Sequence, residues 1–271
     1  MTGRAGVGLR LAVITVLTAL VPLAGAPPVS AARDLLPDLR MAPVYGLRTE
    51  RTDSGRVRLR FGTIVWNVGQ GPLEVRAKDR VRRKMKTVSQ WVLDSAGRKH
   101  GIAHPGLSAF YAGDGHDHWH IPNFVVVTLF PTPGSEPPPG SEVRRLRKIG
   151  FCLTDLVRVP LAFRPPNSAE RVQYPVSGCG HKGWDRIRIG IAVGWGDDYK
   201  PYFAYQLVDV TNLPAGNYRL CATANWDGEW AEMSATNNSY WLDVQLDPAA
   251  ATVSIVGRGE TSCQPAFTGV L

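Results

Sequence analysis

Val57 to Val75 reads VRLRFGTIVWNVGQGPLEV. Val57, Leu59, Phe61, Thr63 and Val65 alternate with Arg58, Arg60, Gly62 and Ile64. That period of two marks a half-buried strand, and NVGQGP supplies the turn that ends it. The same grammar recurs outward in both directions. FVVVTLF (Phe124 to Phe130) is a continuous apolar run closed by PTPGSEPPPG, as expected of a fully buried strand followed by an exposed loop. Ile187, Ile189, Ile191 and Val193 alternate again. AYQLVDV (Ala204 to Val210), the turn TNLPAGN and YRLCATAN (Tyr218 to Asn225) read as an antiparallel hairpin, and SYWLDVQL (Ser239 to Leu246) reads as a further strand. No long segment carries the helical period. The expectation is an all-β, antiparallel, sandwich-like single domain with long loops over residues 32–247, followed by an irregular tail over 248–271.

Residues 1–31 stand apart. Arg4 and Arg10 precede the apolar run LAVITVLTALVPLAGA, and VSA before Ala32 offers a small-residue cleavage site. This pattern reads as a signal peptide and predicts a secreted or cell-surface protein with no stable membrane span. Four cysteines, Cys152, Cys179, Cys221 and Cys263, suit two disulfides in an exported chain, and no CxxC is present to suggest zinc thiolate. Beyond the leader, 29 basic residues face 23 acidic ones. The excess lies in RAKDRVRRKMK (Arg76 to Lys86) and RRLRK (Arg144 to Lys148). Such runs can meet an anionic wall polymer or nucleic acid, or form a solvated face. The solvated face is expected, and nucleic acid is not expected as a partner outside the cell.

Three of the six histidines fall in five residues, in GDGHDHWHIPNF (Gly113 to Phe124). On an extended strand His116, His118 and His120 project from one face, with Asp117 and Trp119 on the other. Three imidazoles suit zinc or copper and leave a coordination position open for water, oxygen or substrate. The spacing departs from the H-x-H-x-D-H of metallo-hydrolases of the β-lactamase type, because His120 and Ile121 stand where Asp and His are needed.

HDHWH followed by Phe124 resembles the copper segment of the lysyl oxidases, and other blocks follow in that family's order. VRLRFGTIVWNVGQGPLEV is similar to the strand and turn before the histidines. KIGFCLTD (Lys148 to Asp155) resembles K-x-x-F-C-L-x-D. GWGDDYKPYFAYQLVDVTNLPAGNYRL (Gly194 to Leu220) and EMSATNNSYWLDV (Glu232 to Val244) resemble the closing blocks. The resemblance implies copper held by His116, His118 and His120. It also implies a lysine tyrosylquinone formed by cross-linking Lys148 to Tyr199, the two catalytic residues. The implied reaction is oxidative deamination of a primary amine, small or peptidyl-lysine, to an aldehyde, with O2 reduced to peroxide and ammonia released. Gly180-His181-Lys182 is similar to a tripeptide of animal members, but it lies far from Phe151-Cys152, so the cross-link falls to Lys148 rather than Lys182. Asp155, Asp198 and Asp209 are candidate bases. Ile121-Pro122-Asn123 stand where the family more often carries acids. A Cys152–Cys179 bridge, leaving Cys221 with Cys263, is expected because it clamps the loop after the cofactor lysine. Two other readings stay open: a non-catalytic copper- or zinc-binding β-sandwich protein, and a zinc hydrolase.

Overall fold

The computed structural model describes residues 1–3, 6, 31–113, 117–140, 142–146, 148 and 150–264. The expected signal peptide falls almost wholly outside them. Among the described residues, no helix is long and apolar enough to cross a membrane.

The stretch that reads as a strand from sequence is the spine of the molecule. Val57–Asn67 buries Val57, Leu59, Phe61, Thr63 and Val65 and leaves Arg58, Arg60 and Ile64 half-buried. Along its length it pairs antiparallel with Leu39–Met41, Tyr45–Arg51, Trp195–Tyr199 and Leu207–Asp209. Asn67 ends it. The buried amide accepts from the backbone N–H groups of Asp38 and Gly69 and donates to the carbonyls of Gly71 and Ile191. All its hydrogen-bonding capacity is thereby satisfied without water, as burial demands. Gly71 is required by close approach: a Cβ there meets the Leu35 carbonyl oxygen at 1.9 Å.

Two further antiparallel sheets complete the domain; among the described residues, 47% are in strands and none in an α-helix. An eight-stranded sheet runs through Gly150–Phe151, Trp119–Pro122, Ala109–Tyr111, Lys84–Asp94, Leu73–Val81 and Arg186–Ile191, with Asp34–Leu35 and Lys99–Ala103 also paired to Lys84–Asp94. A five-stranded sheet runs through Arg144–Arg145, Val125–Pro131, Gly216–Ala224, Ser239–Asp247 and Thr252–Gly259. One core draws on all three, with Phe61, Val75, Val127, Ile189, Leu220 and Leu242 at most 1% exposed. Burying each such side chain contributes about 1.5–3 kcal/mol. Ala32–Leu271 forms one compact unit.

Two expectations are corrected. The segment around Leu207–Asp209 does not form a hairpin with Gly216–Ala224; it pairs with Val57–Asn67 instead. The turn carries the chain between sheets, because Val210 N–H donates to the Val57 carbonyl and Val57 N–H donates to the Thr211 hydroxyl. Nor is the described part of the expected irregular tail, residues 248–264, irregular throughout. Thr252–Gly259 is an edge strand on Ser239–Asp247. Its side chains are mostly exposed, so it lacks the apolar alternation that marks a half-buried strand. The disulfides are Cys152–Cys179 and Cys221–Cys263, the pairing expected from a clamp on the loop after Lys148, with Cα separations of 5.9 and 5.7 Å.

Candidate active site

Trp119–Pro122 and Gly150–Phe151 are neighbouring antiparallel strands, with Ile121 opposite Phe151. This pairing carries the histidine segment and the lysine segment to one place. Trp119 turns inward, fully buried, and its Nε1 donates to the His181 carbonyl at 3.0 Å. His118 and His120 turn to the other side, as period two requires. Their Nε2 atoms converge to 2.8 Å. Gly150 makes room for them: a Cβ there lies 2.7 Å from His120 Nδ1 and 2.4 Å from the Phe110 ring. His116 lies outside the described residues, and among those described no group of three or more metal-ligating side chains is assembled.

Lys148 is buried, and its Nζ stands 4.9 Å from the centre of the Tyr199 ring and 5.6 Å from that of Phe151. Tyr199 ends the Trp195–Tyr199 strand. Its hydroxyl donates to the Cys152 carbonyl at 3.0 Å, and Phe151 packs edge-on against its ring at 5.0 Å. Lys148, Tyr199, His118 and His120 line one cavity of about 360 Å3, together with Asp197 and Asp198. Leu156, Val176 and Phe203 supply apolar wall, and Asp117 stands at the exposed side.

Of the acids singled out from sequence, Asp155 accepts three backbone N–H bonds, from Gln173, Tyr174 and Ala192, and Asp209 caps Thr211. Both are structural. Asp198 lines the cavity but is engaged by the Tyr45 hydroxyl at 2.5 Å and by Lys200. Sequence reasoning missed Asp197. It lies two residues before Tyr199 on the same strand and so on the same face. Its Oδ1 accepts from the Thr154 hydroxyl at 3.1 Å. The Tyr199 hydroxyl lies beside the carboxylate but gives its proton to Cys152, and Oδ2 is buried without a well-formed hydrogen bond among the described residues.

Burial drives the electrostatics. It pushes the Asp197 carboxyl well above the ordinary carboxylate range, and the Thr154 bond, the Tyr199 hydroxyl and the Lys148 charge offset it only in part. Burial also pushes the Tyr199 phenol well above its usual range, and the Asp197 charge adds to the effect. Ile121-Pro122-Asn123 has a plain structural role: Ile121 is core, and Asn123 turns the chain at φ 55° into the next strand.

The lysyl oxidase family model matches residues 167–255. This segment of the chain is similar to the lysyl oxidase family. The matched segment contains Asp197, Tyr199 and the strands that follow; the histidines and Lys148 precede it. A match at this level supports an oxidoreductase of the amine oxidase type. A comparison with curated proteins finds no match.

Two imidazoles whose Nε2 atoms lie 2.8 Å apart are a donor set of the kind that suits zinc or copper.

Proposed function

We propose that this protein is a secreted, copper-dependent amine oxidase of the lysyl oxidase type. It converts a primary amine, O2 and water to an aldehyde, ammonia and H2O2, using a quinone made from Lys148 and Tyr199. The observation that carries the reading is the placement of the buried Lys148 amine 4.9 Å from the Tyr199 ring centre, in the cavity that also exposes the paired imidazoles. His118 and His120, with His116, are the residues that would hold copper. When present, copper supplies the redox chemistry with O2, and the quinone supplies the electrophile toward a primary amine.

The chain's own residues do the rest. The Cys152 carbonyl holds the Tyr199 hydroxyl and so fixes the ring over which Lys148 Nζ stands. Asp197 Oδ2, buried and without a well-formed hydrogen bond among the described residues, is the group placed to take a proton from the substrate carbon. Burial raises its pKa and makes it a stronger base than an ordinary carboxylate. Leu156, Val176 and Phe203 give the cavity an apolar wall, and Asp117 favours approach of a cationic amine.

Copper loading in air followed by proteolysis tests the reading. A cross-linked peptide joining Lys148 to Tyr199, with quinone staining, is the expected result. Tyr199→Phe is expected to abolish amine-dependent peroxide release and keep metal binding. Free Lys148 and Tyr199 peptides at full copper occupancy overturn the cofactor assignment and favour a non-catalytic metal protein. Hydrolytic turnover without O2 favours the zinc hydrolase.

A further inference from the structure

A second concave surface, a groove of about 1560 Å3, lies on the outer face of the eight-stranded sheet and shares no lining residue with the active-site cavity. Period two projects Arg76, Lys78 and Arg80 from Leu73–Val81 toward it, and Arg186 and Arg188 from the next strand. Lys99 completes its cationic set. The register sets Arg186 opposite Lys78, and Arg188 opposite Arg76. Like charges directly opposite destabilise a strand pair.

The groove is only partly neutralised. One buried carboxylate, Glu74, serves Arg76, Lys99 and Arg188 at 2.5, 3.5 and 2.7 Å. Lys78 and Arg80 make no ion pair among the described residues, and the lining acids are Asp79 and Asp185 alone. Trp184 stands at the rim, 38% exposed. A row of fixed cations beside an open indole is a surface for a ligand with repeated negative charges on flat, partly apolar units.

We infer that this groove binds a linear acidic polysaccharide. Charge complementarity fixes the sign of the ligand, the run of cations along two strands fixes its extended form, and Trp184 offers a stacking face for a sugar ring that a bare polyphosphate cannot use. Two disulfides place the fold where such polymers occur rather than among nucleic acids. The site is also joined to the cavity. Val176 lines the cavity and Trp184 the groove, eight residues on, while the His181 carbonyl between them holds Trp119 of the histidine strand. Polymer held here tethers the protein with its cavity nearby. The inference does not depend on the reaction proposed above.

The test uses the full copper-loaded chain and polygalacturonate, with neutral dextran, polyphosphate and a single-stranded DNA oligomer for comparison. Polygalacturonate is expected to bind, dextran not, and affinity is expected to fall at least tenfold between low and physiological salt. Lys78→Glu with Arg186→Glu should weaken polygalacturonate at least tenfold, as should Trp184→Ala, while Arg258→Glu on another sheet leaves it unchanged. Arg80→Glu, at the exposed end of its strand, gives the same reading if the double variant does not fold, as judged by thermal unfolding. The inference is overturned if the charge variants bind as wild type does. It is also overturned if Trp184→Ala binds polygalacturonate unchanged while polyphosphate competes equally, or if DNA binds more tightly than polygalacturonate.

Discussion

Asp197 and Asp198 are adjacent in the chain and face opposite sides of one strand, and that single step decides their chemistry. Asp198 is spent on Tyr45 and Lys200, while Asp197 keeps one buried oxygen without a well-formed hydrogen bond among the described residues, beside Tyr199. Asp197→Asn is expected to lower kcat by about 10²–10⁴-fold, the usual contribution of a positioned base, with copper content unchanged. Asp198→Asn should cost less, since it acts through the position of its neighbours. Because the base works ionised and burial raises its pKa, turnover should fall as pH drops through that raised value. The acidic limb of the kcat/KM profile should vanish in Asp197→Asn; an unchanged limb assigns the base elsewhere. That His118, His120, Lys148 and Tyr199 share one cavity was legible through the resemblance of the segments that carry them. Asp197 was also in reach, since i and i+2 share a face, but only once the Trp195–Tyr199 segment is taken as a strand.

At the scale of elements, small and charged residues at strand contacts carry the site. Gly150 lies against His120, so Gly150→Ala drives a Cβ toward the Phe110 ring and His120 Nδ1. Overpacking of this kind costs about 1–3 kcal/mol. Displacement of His120 should weaken copper binding at least tenfold in a chelator competition. Glu74 fastens three strands through its cations. Burial raises its pKa, but its bonds to Arg188, Arg76 and Tyr174 prevail and bring it down to about 2 from 4.5. That fall corresponds to stabilisation on the order of 3 kcal/mol. Since the folded pKa is the lower one, the stabilisation is present above about pH 4.5 and is lost as pH falls from there toward 2. Glu74→Gln should therefore unfold more easily at pH 7 and match wild type near pH 2 in denaturant titrations. Strands with alternating burial were legible in sequence. The false hairpin at Leu207–Asp209 arose because a turn motif gives the reversal but not the partner, and Val57–Asn67 competes for that partner. The Thr252–Gly259 strand was hidden because an exposed edge needs no apolar face.

For the whole molecule, the two disulfides constrain chain loops of similar size but guard different things. Cys152–Cys179 and Cys221–Cys263 span 27 and 42 residues. Loop-closure entropy gives about 3.6 and 3.9 kcal/mol respectively. Cysteine-to-serine double variants of either pair should lose comparable stability, measured as the denaturant midpoint at pH 7. Activity should separate them. Cys152 lies four residues after Lys148, lines the cavity, and its carbonyl holds the Tyr199 hydroxyl, while Cys179 closes the segment that carries Val176. Cys221 and Cys263 instead join Gly216–Ala224 to the segment beyond the Thr252–Gly259 edge and line no part of the cavity. Under conditions where both variants remain folded, loss of the first bridge should cut cross-link yield and amine turnover at least tenfold, and loss of the second should leave both close to wild type. Equal loss of turnover in the two variants would mean that overall rigidity, and not the clamp on Lys148 and Tyr199, sustains the site.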